Sequence, residues 1–472
     1  MNFKKIFSYC LLSAMAAVSL NASAASIDVN AARLAANDFC KRHAANSGRM
    51  FNAPAMSDIK LAHSEASSVE GNAYYVFNID GGGWVIVAGD DRAKQVLAYG
   101  DKGNIDMSDL PGNMKAYLNM LKGQIETAQA YKGKTIPVKK TKRSTAIEPM
   151  LKSNWGQGEP WNRLCPLNSA GERTSVGCAP LAMAQIINYW KYPSEVSEIS
   201  GYSGTGYQWY SNLPATTFDF DLILDQYRYY DPETGNPIIV DYTDDQANEV
   251  AKLSRYCGQA CKTRYGNSGT ASGSYSYDQR DGFKTFGYNE NLKLIGKDAF
   301  YYCDNSNDYT IEEWCALICT ELEAGRPIPY HDVWEGHAWV LDGVDADGKF
   351  HMNWGFNGKF DGWYEIDALS FHPYGDETVW DFSQSSNSGN QMVINCIPYE
   401  GYVIPGDEPS FIRGDVNNDN RVSIADVTAL IDYLLSQDAS SINTDAADCN
   451  QDDRISIADV TALIDYLLAD EW

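Results

Sequence analysis

Cys178 stands where nucleophilic chemistry would be expected in this chain. It follows Gly177, which lets the backbone turn sharply, and precedes Pro180, which suits a first helical turn. An apolar run over residues 179–190 then repeats with helical spacing. A thiol at the start of a buried helix meets free N–H groups and the positive end of the macrodipole, which favour thiolate. A thiolate nucleophile also needs an imidazole to share its proton, a group to orient that imidazole and donors for the oxyanion. The chain has six histidines: His43, His63, His331, His337, His351 and His372. His337 is preferred as the base, because Gly336 before it leaves room for a thiol and a substrate, and a strand pattern begins there. His351 opens the next strand and His331 falls in the preceding loop; both are weaker alternatives. Asn353 follows one hairpin later, where its amide can accept the second ring N–H and fix the tautomer. Trp354 beside it can shield that bond. Gln157 is a side-chain candidate for the oxyanion, with the Cys178 N–H as second donor.

A chain of 472 residues needs about three units to position these groups. Residues 1–24 read as an export signal: Lys4 and Lys5, an apolar stretch to Leu20, then Ala22-Ser23-Ala24 as cleavage site. The expected location is extracytoplasmic, secreted or at the cell surface. No segment is long enough for a membrane span. A net charge of −26 argues against nucleic acid and anionic membranes as partners. Ten of the eleven cysteines remain after export, and a chain this large does not need a disulfide framework. Cys257 and Cys261, like Cys315 and Cys319, have i,i+4 spacing in helical patterns, as buried thiols or as partners of distant cysteines. No zinc pattern is present.

Residues 25–147 form a first unit, with strands at 72–80 and 84–89 joined by Gly81-Gly82-Gly83 and helical patterns at 27–42 and 114–131. It ends in the basic run Lys139-Lys140-Thr141-Lys142-Arg143-Ser144, a solvated linker suited to proteolytic trimming. Residues 148–400 open with helices and close with strands at 338–342, 349–353, 362–366 and 392–397, an α+β pattern. A linker over 401–411 precedes a repeat in residues 412–472.

That repeat carries Asp415-Val416-Asn417-Asn418-Asp419 and, 33 residues on, Asp448-Cys449-Asn450-Gln451-Asp452, each followed by the same helix. Calcium takes six to eight oxygens in a flexible loop. Asp415, Asn417, Asp419, Ser423, Asp426 and the Arg421 carbonyl supply one such set. Asp448, Asn450, Asp452, Ser456, Asp459 and the Arg454 carbonyl supply the other. Asn420 and Asp453 replace the usual glycine; both types tolerate a left-handed turn. The segment resembles the dockerin module, which implies two structural Ca2+ sites, an all-α fold and a cohesin-like receptor as partner. Ile424-Ala425 and Ile457-Ala458, apolar where dockerins read their partners, leave docking onto the protein's own catalytic unit as an alternative.

The central unit resembles the streptopain and interpain cysteine peptidases through Gln157-Gly158, Val176-Gly177-Cys178, Ala184-Gln185-Ile186, Gly336-His337-Ala338, Asn353-Trp354-Gly355 and Asp361-Gly362. The first unit resembles that family's inhibitory prodomain through Tyr74-Tyr75-Val76-Phe77 and 83–91. The resemblance implies a papain-like catalytic unit of two subdomains with a small α+β prodomain. It implies a secreted zymogen that becomes a cysteine endopeptidase without a catalytic cofactor. Cys178 would be the nucleophile, His337 the base, Asn353 the orienter and Gln157 the oxyanion donor, with Trp354 and Gly336 lining the cleft. Phe356 departs from the tryptophan common in relatives. Two other readings are a catalytically inactive, peptidase-like binding protein tethered through the C-terminal module, and an acyl transferase or amidase using the same dyad.

Overall fold

The computed structural model describes residues 26–47, 54–131, 135–137, 146–204, 208–231, 236–266, 271–332, 336–369, 371–373, 389–399, 401–404, 412–419, 421–436, 438–439, 442–452 and 454–469. The basic run, the export signal and most of the 401–411 linker lie outside them. Two compact units divide the chain, residues 1–402 and 403–472.

One antiparallel sheet organises the larger unit. In chain order its strands are β1 (Ile59–Ala66), β2 (Asn72–Ile79), β3 (Trp84–Ala88), β4 (Val96–Gly100), β5 (Lys293–Gly296), β6 (Ile328–Asp332), β7 (His337–Val344), β8 (Phe350–Asn353), β9 (Gly362–Tyr364) and β10 (Asn390–Ile394). Their spatial order is β1-β2-β3-β4-β9-β8-β7-β6-β10-β5. The hairpin around Gly81-Gly82-Gly83 forms as its sequence indicates, with Tyr75 opposite Val87 and Phe77 opposite Val85. Strands β6, β7, β8 and β9 pair in chain order through short connections, as expected for consecutive strands, whereas β10 and β5 join beyond β6 from distant parts of the chain.

The junction of the two halves was not legible in the sequence. Strand β4 of the first unit pairs with β9 of the central unit, Trp363 opposite Tyr99 and Tyr364 opposite Ala98. The first unit thus continues the sheet of the central unit. Helix α1 (Val29–Ser47) covers one face of the join, burying Ala36 and Phe39 with Val85, Val87, Tyr99 and Trp363. Helix α2 (Gly112–Ala130) covers the other, with Met114, Tyr117, Leu121 and Ile125 in one core with Val76, Ile86, Trp339 and Tyr364. Burial of these apolar side chains on both faces holds the first unit to the central one.

Polar contacts reinforce the junction. The buried Glu365 carboxylate takes Lys94 from the first unit at 2.8 Å and Lys349 from its own at 3.1 Å. Burial pushes this carboxyl up, but the two ammonium groups outweigh it and hold it below the ordinary range. The Gln124 side chain accepts from the Ala368 N–H, and the Lys94 N–H donates to the Ala368 carbonyl. A Lys94→Met chain loses one charged partner while Glu365 keeps Lys349. Because Lys94 retains some solvent exposure, we expect a loss of only about 1–2 kcal/mol at this contact. Calorimetry of the full-length variant should then show unfolding beginning at a lower temperature than in the unsubstituted chain; an unchanged trace would show the pair to be idle.

Helices α3 (Cys178–Trp190), α4 (Asp244–Ala260) and α5 (Ser276–Thr285) pack together as the helical subdomain, and α6 (Ile311–Glu323) packs on β6 and β7. Thr243 and Thr310 cap α4 and α6 through capping boxes, each with the glutamine or glutamate three residues on. Among the described residues every cysteine is a free thiol, and no helix is long and apolar enough to cross a membrane.

The smaller unit holds α7 (Ile424–Ser436), α8 (Thr444–Ala447) and α9 (Ile457–Ala469). Val427 and Leu430 of α7 meet Val460 and Leu463 of α9, the equivalent positions of the two repeats.

Candidate active site

Helix α3 begins at Cys178 because Gly177 turns the chain there. Gly177 has φ +97°, and a Cβ would lie 3.1 Å from the Ser272 carbonyl oxygen. A side chain at this position meets both left-handed strain and a wall of backbone. The Val176 N–H donates to the Gln157 carbonyl at 3.0 Å, which sets residue 157 beside the turn that carries the thiol. Gln157 is half-buried there.

The thiol itself departs from the helix-start expectation. Burial pushes the Cys178 thiol up, while the N–H groups of Ala338, Ala179 and Cys178 pull it down less strongly. In this closed chain desolvation outweighs the helix dipole. The Ala338 N–H belongs to the residue after His337, so helix α3 and the start of β7 meet at the sulfur.

His337 is the first residue of β7, after Gly336 at φ +71°. Gly112, the first residue of α2 in the prodomain-like part, lies flush against its ring. A Cβ on Gly112 would stand 2.6 Å from both Cε1 and Nε2 of His337. The next residue, Asn113, donates from Nδ2 to the Trp354 carbonyl at 3.0 Å and to the Ala338 carbonyl at 3.5 Å. The N-terminus of α2 therefore caps the strand ends around the imidazole. The sequence pattern begins this helix at residue 114, two positions later than the structure does, and nothing local tells what residue 112 touches.

Asn353 sits at the end of β8, opposite Val340 of β7. Its Oδ1 accepts from Gln185 Nε2 at 3.3 Å and from the Gly355 N–H at 3.2 Å, and its Nδ2 donates to the Ser153 carbonyl at 2.9 Å. Gln185 is the side chain two turns along α3 from Cys178, and the hydroxyl of Ser153 donates to it at 3.1 Å. In the closed chain the Asn353 amide is thus engaged by α3 and the 153 loop. Trp354 is buried, its ring 5.0 Å from Trp339 and 5.8 Å from Tyr117 of α2. The Trp354 N–H donates to Asp361 at 2.9 Å, and burial pushes that carboxyl up to about 7.

The two alternative bases, His331 and His351, are engaged elsewhere. His331 lies in β6, not in a loop, because its strand pairs on both sides, with β7 and β10. Burial pushes it down to about 3, so it stays neutral. The Nδ1 of His351 meets Asp342 at 2.6 Å and its ring stands edge-on to Trp363.

The two C-terminal loops repeat one pattern. The Asp419 N–H donates to Asp415 and Asn417, and the Asn417 N–H to Asp426; Asp452, Asp448, Asn450 and Asp459 do the same. Backbone N–H groups of Arg421 and Arg454 donate to Asp419 and Asp452. Ser423 and Ser456 donate N–H to the last carboxylates, Asp426 and Asp459, both fully buried. The carboxylates gather backbone N–H groups and so fix the turn of each loop, and among the described residues no group of three or more His, Cys, Asp or Glu side chains is placed to hold a metal ion. Asn420 and Asp453, expected to turn left-handed, lie outside the described residues; the described left-handed positions are Asn418 and Gln451.

Comparison with known proteins agrees with this geometry. The peptidase C10 family profile matches residues 155–364, the Spi protease inhibitor profile 24–125 and the dockerin type I domain profile 413–468. Streptopain of Streptococcus pyogenes is 30% identical over 335 residues, covering 66% of this chain and 79% of streptopain. The thiol protease/hemagglutinin PrtT of Porphyromonas gingivalis is 27% identical over 323 residues, 65% of this chain but 35% of PrtT. A solved fragment of prointerpain A from Prevotella intermedia superposes with a TM-score of 0.55 at 28% identity, covering 71% of this chain and 98% of the fragment.

Proposed function

Because the chain belongs to the streptopain family, peptidase family C10, it is a cysteine peptidase made as a zymogen, and we propose that Cys178 and His337 are its nucleophile and base. The observation that carries this assignment is the meeting at Cys178 of the α3 start and the His337 strand, with Gly112 pressed on the imidazole. Once the first unit leaves, His337 takes the Cys178 proton and the thiolate attacks the scissile carbonyl carbon. The Cys178 N–H and the Gln157 amide hold the oxyanion. The tetrahedral intermediate collapses to a thioester as His337 gives the proton to the leaving amine. Water, deprotonated by His337, then releases the acid product and regenerates the thiol. Asn353 orients the imidazole through its side-chain amide. Trp354 and Gly336 flank the cleft. Casein or peptide hydrolysis after processing, with new N-termini sequenced, tests hydrolysis against acyl transfer; transfer products without new termini would overturn it.

We also propose two calcium sites in the dockerin unit, one per loop, with the twelve oxygen donors named above. Each helix carries an exposed apolar stripe, Ile424, Ile431 and Leu435 on α7 and Ile457, Ile464 and Leu468 on α9. These stripes suit an apolar receptor face of cohesin type, outside the cytoplasm. Calcium at 1,000 times its dissociation constant should stabilise this unit by about 4 kcal/mol. Calorimetry of the full chain should therefore show a separate transition that moves down with chelator and returns with calcium. A chelator-insensitive trace would count against both sites.

A further inference from the structure

Beneath the proposed dyad runs a buried strap that the mechanism above does not use. Gln279 on α5 is fully buried. Its Nε2 donates to the Ala179 carbonyl at 2.6 Å, in the first turn of α3 beside Cys178. Its Oε1 lies 2.6 Å from Nε2 of His331. The orientation of the amide is fixed by chemistry: a carbonyl can only accept, so the NH2 must face Ala179 and the oxygen must face the ring. The imidazole must then donate, which makes His331 the Nε2–H tautomer.

This strap joins the two halves of the site. His331 lies opposite Ala338, and Asp332 opposite His337, in the β6–β7 pair. One end therefore grips the first turn behind the nucleophile and the other grips the strand beside the base. Helix α5 is itself tethered to the same sheet, because the Ser276 hydroxyl donates to Gln391 of β10, at 2.5 Å, and Gln391 pairs with His331.

We propose that Gln279 and His331 are positioning residues that set the distance between Cys178 and His337. The proposal rests on the dyad assigned above. Its bonds need only a neutral imidazole and an amide, so the strap holds across the whole range in which a cysteine peptidase works. Misplacing reacting groups by an ångström costs up to about 100-fold in rate. The expected signature is a loss in kcat with little change in KM.

The test uses full-length chains processed in trans by tagged wild-type peptidase that is then removed, with active sites titrated. Gln279→Leu should lose about 10- to 100-fold in kcat at every pH. Gln279→Glu sets a carboxylate against the Ala179 carbonyl at neutral pH and should lose as much. On acidification the protonated acid can donate to Ala179 while its carbonyl accepts from His331, so its kcat relative to wild type should climb as pH falls. His331→Gln restores an N–H donor at the Nε2 position and should keep most of kcat, whereas His331→Leu should not. Should the leucine variants fail to fold, the pH-dependent recovery of Gln279→Glu still decides. Wild-type kcat and an unaltered pH profile in Gln279→Leu or Gln279→Glu would overturn the strap. A Cys178→Ala control that remained active would instead overturn the dyad.

Discussion

A Cys178→Ala chain is expected to lose peptide hydrolysis by about 10,000-fold or more and to stay at full length when stored under conditions that process the wild type. The size follows from the chemistry. Without the sulfur no thioester can form, and the oxyanion donors and the imidazole retain only the part of catalysis that does not pass through a covalent intermediate. The fold should survive, because the change removes one polarisable atom at a site already closed by Gly112 and Asn113. His337→Ala should give a loss of similar order, and the double variant little more than either single one, since the two act as a unit. Two independent, multiplying losses would break the claim that they form one dyad.

A Gly112→Leu chain is expected to move the other way and escape restraint. Glycine is the residue that lets α2 start against the imidazole, since even one carbon there would approach Cε1 and Nε2 of His337 to 2.6 Å. A leucine has to push either the ring or the helix aside. Overpacking of this kind costs about 1–3 kcal/mol, a factor of roughly 5 to 150 in the balance between closed and open forms. The full-length variant should show measurable hydrolysis before processing and a shortened lag in a progress curve. A lag as long as that of wild type would mean that the contact with His337 does not restrain the enzyme.

The sequence carried the local part of this account well. Gly177-Cys178 and Pro180 announce a helix start, and α3 begins at Cys178. Gly336-His337 announces a strand start, and β7 begins at His337. The doubled acidic loop is a repeat that can be read by eye, and its last carboxylates, Asp426 and Asp459, are buried. What remained hidden depends on contacts between distant segments. Trp363 opposite Tyr99 bridges more than 260 positions of chain, and no periodicity foretells that the two sheets fuse. The environment of the thiol is hidden for the same reason: a helix start is local, whereas burial is set by everything that folds around it. His331 read as a loop histidine because its short strand carries Pro329, a residue that weakens strand signals, yet partners on both sides hold it in the sheet. Gln279 carried no signal at all, since a lone glutamine in an amphipathic helix is usually solvated.

On this mechanism Cys178 is a nucleophile whose reactivity is withheld while the first unit is seated. Rates of alkylation by iodoacetamide, read at Cys178 by peptide mass mapping in the full-length chain and after cleavage between Lys139 and Pro149, test it most directly. Slow labelling and no hydrolysis are expected in the full-length chain. After cleavage, labelling should be at least about 10-fold faster, and hydrolytic activity should fall in proportion to the Cys178 labelled. Equal labelling of the two forms, or full activity with Cys178 fully alkylated, would contradict it.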